Sequence, residues 1–257
     1  MNTELFLLSA KIIFVFMNIM FLIAQFKKDN SIVDIGWGLS FLFVTAGLMF
    51  LTGFQSVAHL TFLAMIALWS LRLAGYIFKR NRGTGEDYRY AAWRKEWGKN
   101  VVWRAYLQVF MLQGAIMFIV LSPSYAVFSN PESTLGIPHY IGIFLWIVGF
   151  YFEAVGDAQM MRFKSDSANK GKVMNQGLWK FTRHPNYFGE ALLWWGFGVF
   201  SFTPELWWLS FLGPSVITFF LLKVSGVAML ERKYDGNPKY AEYKRTTNAF
   251  LPWFPKN

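Results

Sequence analysis

Seven apolar runs, each close to twenty residues long, constrain most strongly what this chain can become. They fall at roughly 5–26, 33–51, 57–78, 105–127, 137–158, 185–203 and 205–226. About twenty apolar residues in a helix cross about 30 Å of hydrocarbon, and within one segment only a helix satisfies its own backbone there. The expected fold is an all-α polytopic bundle of about seven transmembrane helices, a single embedded domain over residues 1–257. Only Thr203-Pro204 separates the last two runs, so they read as a hairpin. No basic leader precedes the first run, and MNTELFLL reads as an uncleaved first span.

Charge placement bears on the count. If seven spans alternate, Lys27 and Lys28, the blocks 79–104 and 162–183, and everything from Lys223 onward share one side. Those segments hold every Lys and Arg outside the spans; Lys11 lies within the first span and Arg72 within the third. The opposite loops carry Glu4, Glu132 and Glu205 and no cation. By the positive-inside rule the N-terminus is outside and the C-terminus cytoplasmic. The same bias accounts for a net charge of +10 without invoking nucleic acid. The absence of cysteine excludes disulfides, thiolate catalysis and cysteine-ligated metal. His59, His139 and His184 are scattered without metal-ligand spacing, so no metal is expected.

Ionisable groups inside apolar spans are expensive and usually pair or line a site. Asp34 opens the second span, Arg72 sits in the third, Glu153 and Asp157 share a face of the fifth, and Glu190 begins the sixth. All five fall in the cytoplasmic half of their spans. Arg72 could pair with Asp157 or Glu190 to staple helices together, but five such groups at one depth fit the lining of a polar cavity better. The stretch GLWKFTRHPNYFGE, residues 177–190, concentrates the signal. Pro185 suits the first turn of a helix, and Asn186, Glu190 and Trp194 then fall four residues apart on one face. The flanking basic loops interleave Tyr88, Tyr90, Trp93 and Trp97 with cations and glycines, a pattern suited to phosphates and flat rings as well as to lipid headgroups.

With those residues in view, the chain resembles the steroid 5-alpha-reductase family, most closely its bacterial branch, over roughly residues 30–257. The resemblance is carried by WSLRLAGYIFKRNRG (69–83) with GEDYRY (85–90), by EAVGDAQMMRFK (153–164), and by GLWKFTRHPNYFGE with the tail FLPWFP. The RHPxYxG core is shared with isoprenylcysteine carboxyl methyltransferases. Asn186 before the tyrosine and Glu190 after the glycine are the form that sterol reductases carry.

The resemblance implies a membrane reductase binding NADPH at its cytoplasmic face, in a bacterial inner membrane. The cofactor-binding positions it implies are Arg72, Tyr76, Asn81, Arg82, Asp157, Lys164, Arg183, His184, Asn186, Tyr187 and Glu190. Lys164, Lys170 and Lys172 are the cations set toward a 2′-phosphate. Asp34, in IVDIGWG, and Trp69, where the family has a tyrosine, take the substrate-facing catalytic positions. Hydride would pass to a carbon–carbon double bond conjugated to a carbonyl, in a steroid-like or other lipid-like substrate entering from the bilayer. Beyond that substrate and membrane lipids, no obligate protein partner is inferred. The alternative reading is an S-adenosylmethionine-dependent methyltransferase of the isoprenylcysteine carboxyl methyltransferase type, acting on a lipid or on a prenylated or small acidic substrate.

Overall fold

Each apolar run folds as helix, and its ends fall where the chain supplies a cap or a break. The computed structural model describes residues 3–53, 56–130, 134–232 and 234–256. Glu132, expected in an outer loop, lies outside them. The described residues contain no strand, and the chain divides into two compact units, Met1–Leu135 and Gly136–Asn257.

The first unit is built on α1 (Thr3–Lys27), α2 (Ile32–Thr52) and α3 (Val57–Asn81), with α2 packed against both of the others. Ser56 caps α3 by accepting from the His59 N–H at 3.2 Å. Lys79 and Arg80 occupy its last turn, where the helix dipole favours cations. Gly83, at φ 80°, then turns the chain away. Phe41, Phe62, Ile66 and Trp69 are fully buried between these helices. α4 (Tyr88–Trp97) follows, capped by Asp87, and α5 (Val101–Ala105) leads through a wider π turn (Tyr106–Met111) into α6 (Leu112–Val120). The run expected to continue helically to residue 127 breaks at Leu121. Pro123 lacks the N–H that continuation requires, so the chain restarts as α7 (Ser122–Phe128).

The second unit is organised by α8 (Ile137–Ser165) and α9 (Pro185–Phe200), which run antiparallel in close contact. Gly142, Gly149 and Gly156 recur every seven residues on α8, as do Gly189 and Gly196 on α9, so each set forms a stripe on one face. The stripes meet backbone to backbone. A Cβ on Gly149 would lie 2.7 Å from the Gly189 carbonyl oxygen, and one on Gly196 would lie 2.8 Å from that of Gly142. This is how helices associate where lipid removes the hydrophobic drive, through small residues that let dispersion act at short range. α10 (Trp207–Phe219) folds back on α9 through the Thr203-Pro204 turn, and the Ser210 hydroxyl donates to the Ser201 carbonyl at 3.0 Å. The expected hairpin is present. α11 (Val227–Arg232) and α12 (Pro238–Thr246) complete the unit.

Among the described residues, six helical segments are long and apolar enough to cross a membrane: Thr3–Lys27, Ile32–Thr52, Val57–Asn81, Tyr88–Val120, Ile137–Ser165 and Pro204–Arg232. α9, at 16 residues, rises only about 24 Å.

Candidate functional site

The glycine seam of the second unit sets its polar side chains beside one another. Gly189 abuts the backbone of Glu153, and Gly156 abuts Pro185 and Asn186. Residues one helical turn apart on α8, Glu153 and Asp157, therefore face the first turns of α9, where Asn186 and Glu190 are likewise one turn apart. The Asn186 amide donates to Asp157 Oδ1 at 3.1 Å. Glu190 Oε1 accepts from the Trp194 indole N–H at 3.0 Å. Glu153, Asp157 and Glu190 are all buried. Asn186 Oδ1 is also buried and accepts no hydrogen bond from the described residues. A buried acceptor left unfilled costs about 1–3 kcal/mol, which a donor on a bound molecule would recover.

Arg183 and His184 have different surroundings from those the sequence implied. The Arg183 guanidinium meets Glu231 Oε1 at 2.7 and 2.8 Å and donates to the carbonyls of Lys244 and Thr247. His184 Nε2 lies 3.2 Å from the same Glu231 oxygen, and its ring stacks on Tyr187 with centroids 5.4 Å apart. The Arg183 N–H donates to the Asn248 carbonyl at 2.9 Å, and Thr182 Oγ1 to that of Phe250 at 2.9 Å. The Tyr243 hydroxyl donates to the Trp179 carbonyl. The RHP turn is thus bolted to the returning tail, which holds the start of α9 in place. Lys164 is exposed near the end of α8, about two turns beyond Asp157. The sequence reading missed Glu231, Tyr243 and Thr247. No local signal singled them out, since Glu231 is one of three acids in the basic tail, with Asp235 and Glu242.

In the first unit, Asp34 accepts from the Tyr90 hydroxyl at 2.6 Å and from Arg89 at 2.9 Å. Gln113 donates to the Tyr90 oxygen at 3.4 Å. Glu86 of the same GEDYRY run receives two bonds from Arg94, each 2.8 Å, and the Asn30 N–H at 2.7 Å. Burial pushes the Glu86 carboxyl up, but the Arg94 and Asn30 hydrogen bonds outweigh it and hold the pKa below the ordinary value. Arg89, Tyr90 and Glu86 were not among the expected site residues, although their motif was noticed. At the end of α3, Tyr76 is flanked by Arg72 at 6.0 Å and Arg80 at 5.8 Å. Asn81 accepts from Arg80 Nε at 3.0 Å, and Arg82 is exposed. Trp69 has no exposed surface and meets Phe41 edge-on, with centroids 5.3 Å apart.

Comparison with known proteins adds context to these two clusters. Over 286 aligned positions the chain is 26% identical to an uncharacterized protein of Schizosaccharomyces pombe, covering 98% of this chain and 80% of that one. It is 30% identical over 117 residues to the steroid 5-alpha-reductase DET2 of Arabidopsis thaliana, covering 44% of this chain and 40% of the relative. It is 30% identical over 76 residues to a very-long-chain enoyl-CoA reductase of Dictyostelium discoideum, covering 30% of this chain and 25% of the relative. The chain thus aligns with less than half the length of either reductase. No solved structure matches it. Across residues 20–247 the chain matches the family described as Protein of unknown function (DUF1295), and it belongs to that family.

Proposed function

We propose that this protein is a membrane-embedded reductase that uses NADPH to reduce a carbon–carbon double bond conjugated to a carbonyl in a lipid-like or steroid-like substrate. The observation that carries this reading is the unfilled Asn186 Oδ1, buried beside Asp157 with Glu190 one turn on. Such a set offers acceptors to a neutral amide and to ribose hydroxyls, groups a nicotinamide nucleotide carries. The distant likeness to two reductases supports the same class. When bound, the nucleotide supplies the hydride.

The chain's own residues then have distinct tasks. Asn186 and Asp157 orient the amide-bearing end, and Glu190 anchors a hydroxyl close to the positive potential at the start of α9. Arg72, Asn81 and Arg82, with Tyr76 as a flat surface, serve the charged and aromatic parts of the ligand. Lys164 supplies a further cation. Tyr187 and His184 stack on each other at the start of α9, and Arg183 holds the turn through Glu231. Tyr90 and Arg89 orient Asp34, which in its protonated form would donate to the substrate carbonyl as negative charge develops on its oxygen. Trp69 forms the wall behind α2. We further propose that the two units act as one domain, with α9 as a seventh, short crossing that the bilayer accommodates by local thinning. The N-terminus is then outside and the basic C-terminus cytoplasmic.

The test is turnover. Purified protein supplied with NADPH and conjugated lipid ketones should oxidise the nucleotide only when the ketone is present. Protection by S-adenosylhomocysteine, with no NADPH oxidation across a panel of such ketones, would replace this reading with methyl transfer.

A further inference from the structure

A cleft of about 690 Å³ opens in the second unit between the loop before α9 and α12, and none of Glu153, Asp157, Asn186 and Glu190 lines it. Lys172, Lys180 and Lys239 line it, with Tyr243, Thr246 and Pro255 among the other walls. Its one lining acid, Glu242, is already held by Arg245 at 2.7 Å. The three lysines make no ion pair among the described residues and are exposed. Two cations from the loop before α9 and one from α12 line a cleft whose one acid is already paired, and together they create positive potential that attracts an external anion.

The depth of the cleft identifies that anion. Counting about twenty residues from Ile137, α8 leaves hydrocarbon near Gly156. There the Trp179 indole N–H donates to the Gly156 carbonyl, and the Leu178 N–H to Gln159 Oε1, each at 3.0 Å. The Trp253 N–H donates to the Phe181 carbonyl at 2.9 Å, so the end of the tail lies at the same level. Leu251, Trp253 and Phe254 there are 65%, 68% and 74% exposed. Large apolar and aromatic side chains left bare at that depth belong in the interfacial layer. Cations in a cleft beside an interfacial aromatic patch match the two parts of an anionic phospholipid, headgroup and upper acyl chain.

We infer that the cleft lined by Lys172, Lys180 and Lys239 binds the phosphate headgroup of an anionic phospholipid, with Leu251, Trp253 and Phe254 resting in the same leaflet. The inference stands independently of the reductase reading. It sets Lys172 apart from Lys164 and Lys170, which do not line the cleft.

The full chain in mixed micelles would be offered equal amounts of dioleoylphosphatidylglycerol and dioleoylphosphatidylcholine, and the retained lipid counted by native mass spectrometry. Three lysines near an anionic headgroup should favour phosphatidylglycerol by on the order of a hundredfold. Changing Lys172→Gln, Lys180→Gln and Lys239→Gln together should bring the two lipids close to parity, while the three Lys→Arg changes should keep the preference. Lys239→Gln alone, at an exposed site that folding tolerates, should cost roughly fivefold. Equal retention by the unchanged protein, or a preference that survives the triple Gln change, overturns the inference. A soluble arm separates the sources. If 2′,5′-ADP protects the unchanged protein against heat but not the triple variant, while lipid preference persists, the cleft takes a soluble phosphate and the inference fails.

Discussion

A single methyl group on the α8–α9 seam should do what the same methyl elsewhere does not. Gly149→Ala places a Cβ against the Leu193 N–H and 2.7 Å from the Gly189 carbonyl oxygen. Both obstacles are backbone, so no rotamer change relieves them and the helices must part by several tenths of an ångström. Overpacking of this kind costs about 1–3 kcal/mol, partly offset by the roughly 0.5–1 kcal/mol that alanine gains over glycine within a helix. The expected net loss is about 0.5–2 kcal/mol. Gly75→Ala in α3 is the internal control, because a Cβ there meets nothing within 4 Å. It should stabilise the protein by about 0.4–1 kcal/mol. Denaturant titration in a fixed detergent would measure both variants. Opposite signs are required, and stabilisation of Gly149→Ala comparable to that of Gly75→Ala would refute the close-packed seam. Because Gly156 and Gly189 also set the 3.1 Å Asn186–Asp157 contact, parted helices should weaken ligand binding along with stability.

The remaining expectations follow from the polar contacts. Arg183→Ala leaves Glu231 without its main partner and should cost about 3–5 kcal/mol; limited proteolysis should then cut the tail after residue 233 faster than in the unchanged protein. Tyr243→Phe removes the donor to the Trp179 carbonyl and should cost about 1–3 kcal/mol, read by the same denaturant titration. Glu86 has a folded pKa below its ordinary 4.5, so its stabilising contribution is present above that pH and lost as pH falls through the folded value. Stability measured on acidification below 4.5 should therefore fall less steeply in Glu86→Gln than in the unchanged protein.

Much of the bundle was legible because a membrane leaves few choices. Length and apolarity marked the spans, Thr203-Pro204 marked the hairpin, and helical spacing put Glu153 with Asp157 and Asn186 with Glu190. Two features were hidden for physical reasons. Asp34 and its partners Arg89 and Tyr90 are about 55 residues apart, and Arg183 meets Glu231 48 residues on. No local periodicity encodes such closures, so a cation suited to a phosphate looked the same as a cation holding a tail. The apolar run at 185–203 also overstated its helix, which stops at Phe200, just before residues that Pro204 biases toward extended backbone. The glycine stripe was readable at its interval of seven, since only close packing makes repeated glycine within a helix worth its entropy.

The central claim is that the start of α9 holds NADPH, and Glu190→Gln tests it most directly because it keeps shape and removes charge. NADPH affinity and melting temperature would be measured on the same preparation, by quenching of intrinsic fluorescence and by a thermal ramp. The account predicts a loss of about 1.5–3 kcal/mol in nucleotide affinity, the scale of a hydrogen bond to a charged group, with the melting temperature of the ligand-free protein little changed. An unchanged affinity together with a lowered melting temperature would contradict it, making Glu190 a structural partner and placing the nucleotide, if any, elsewhere.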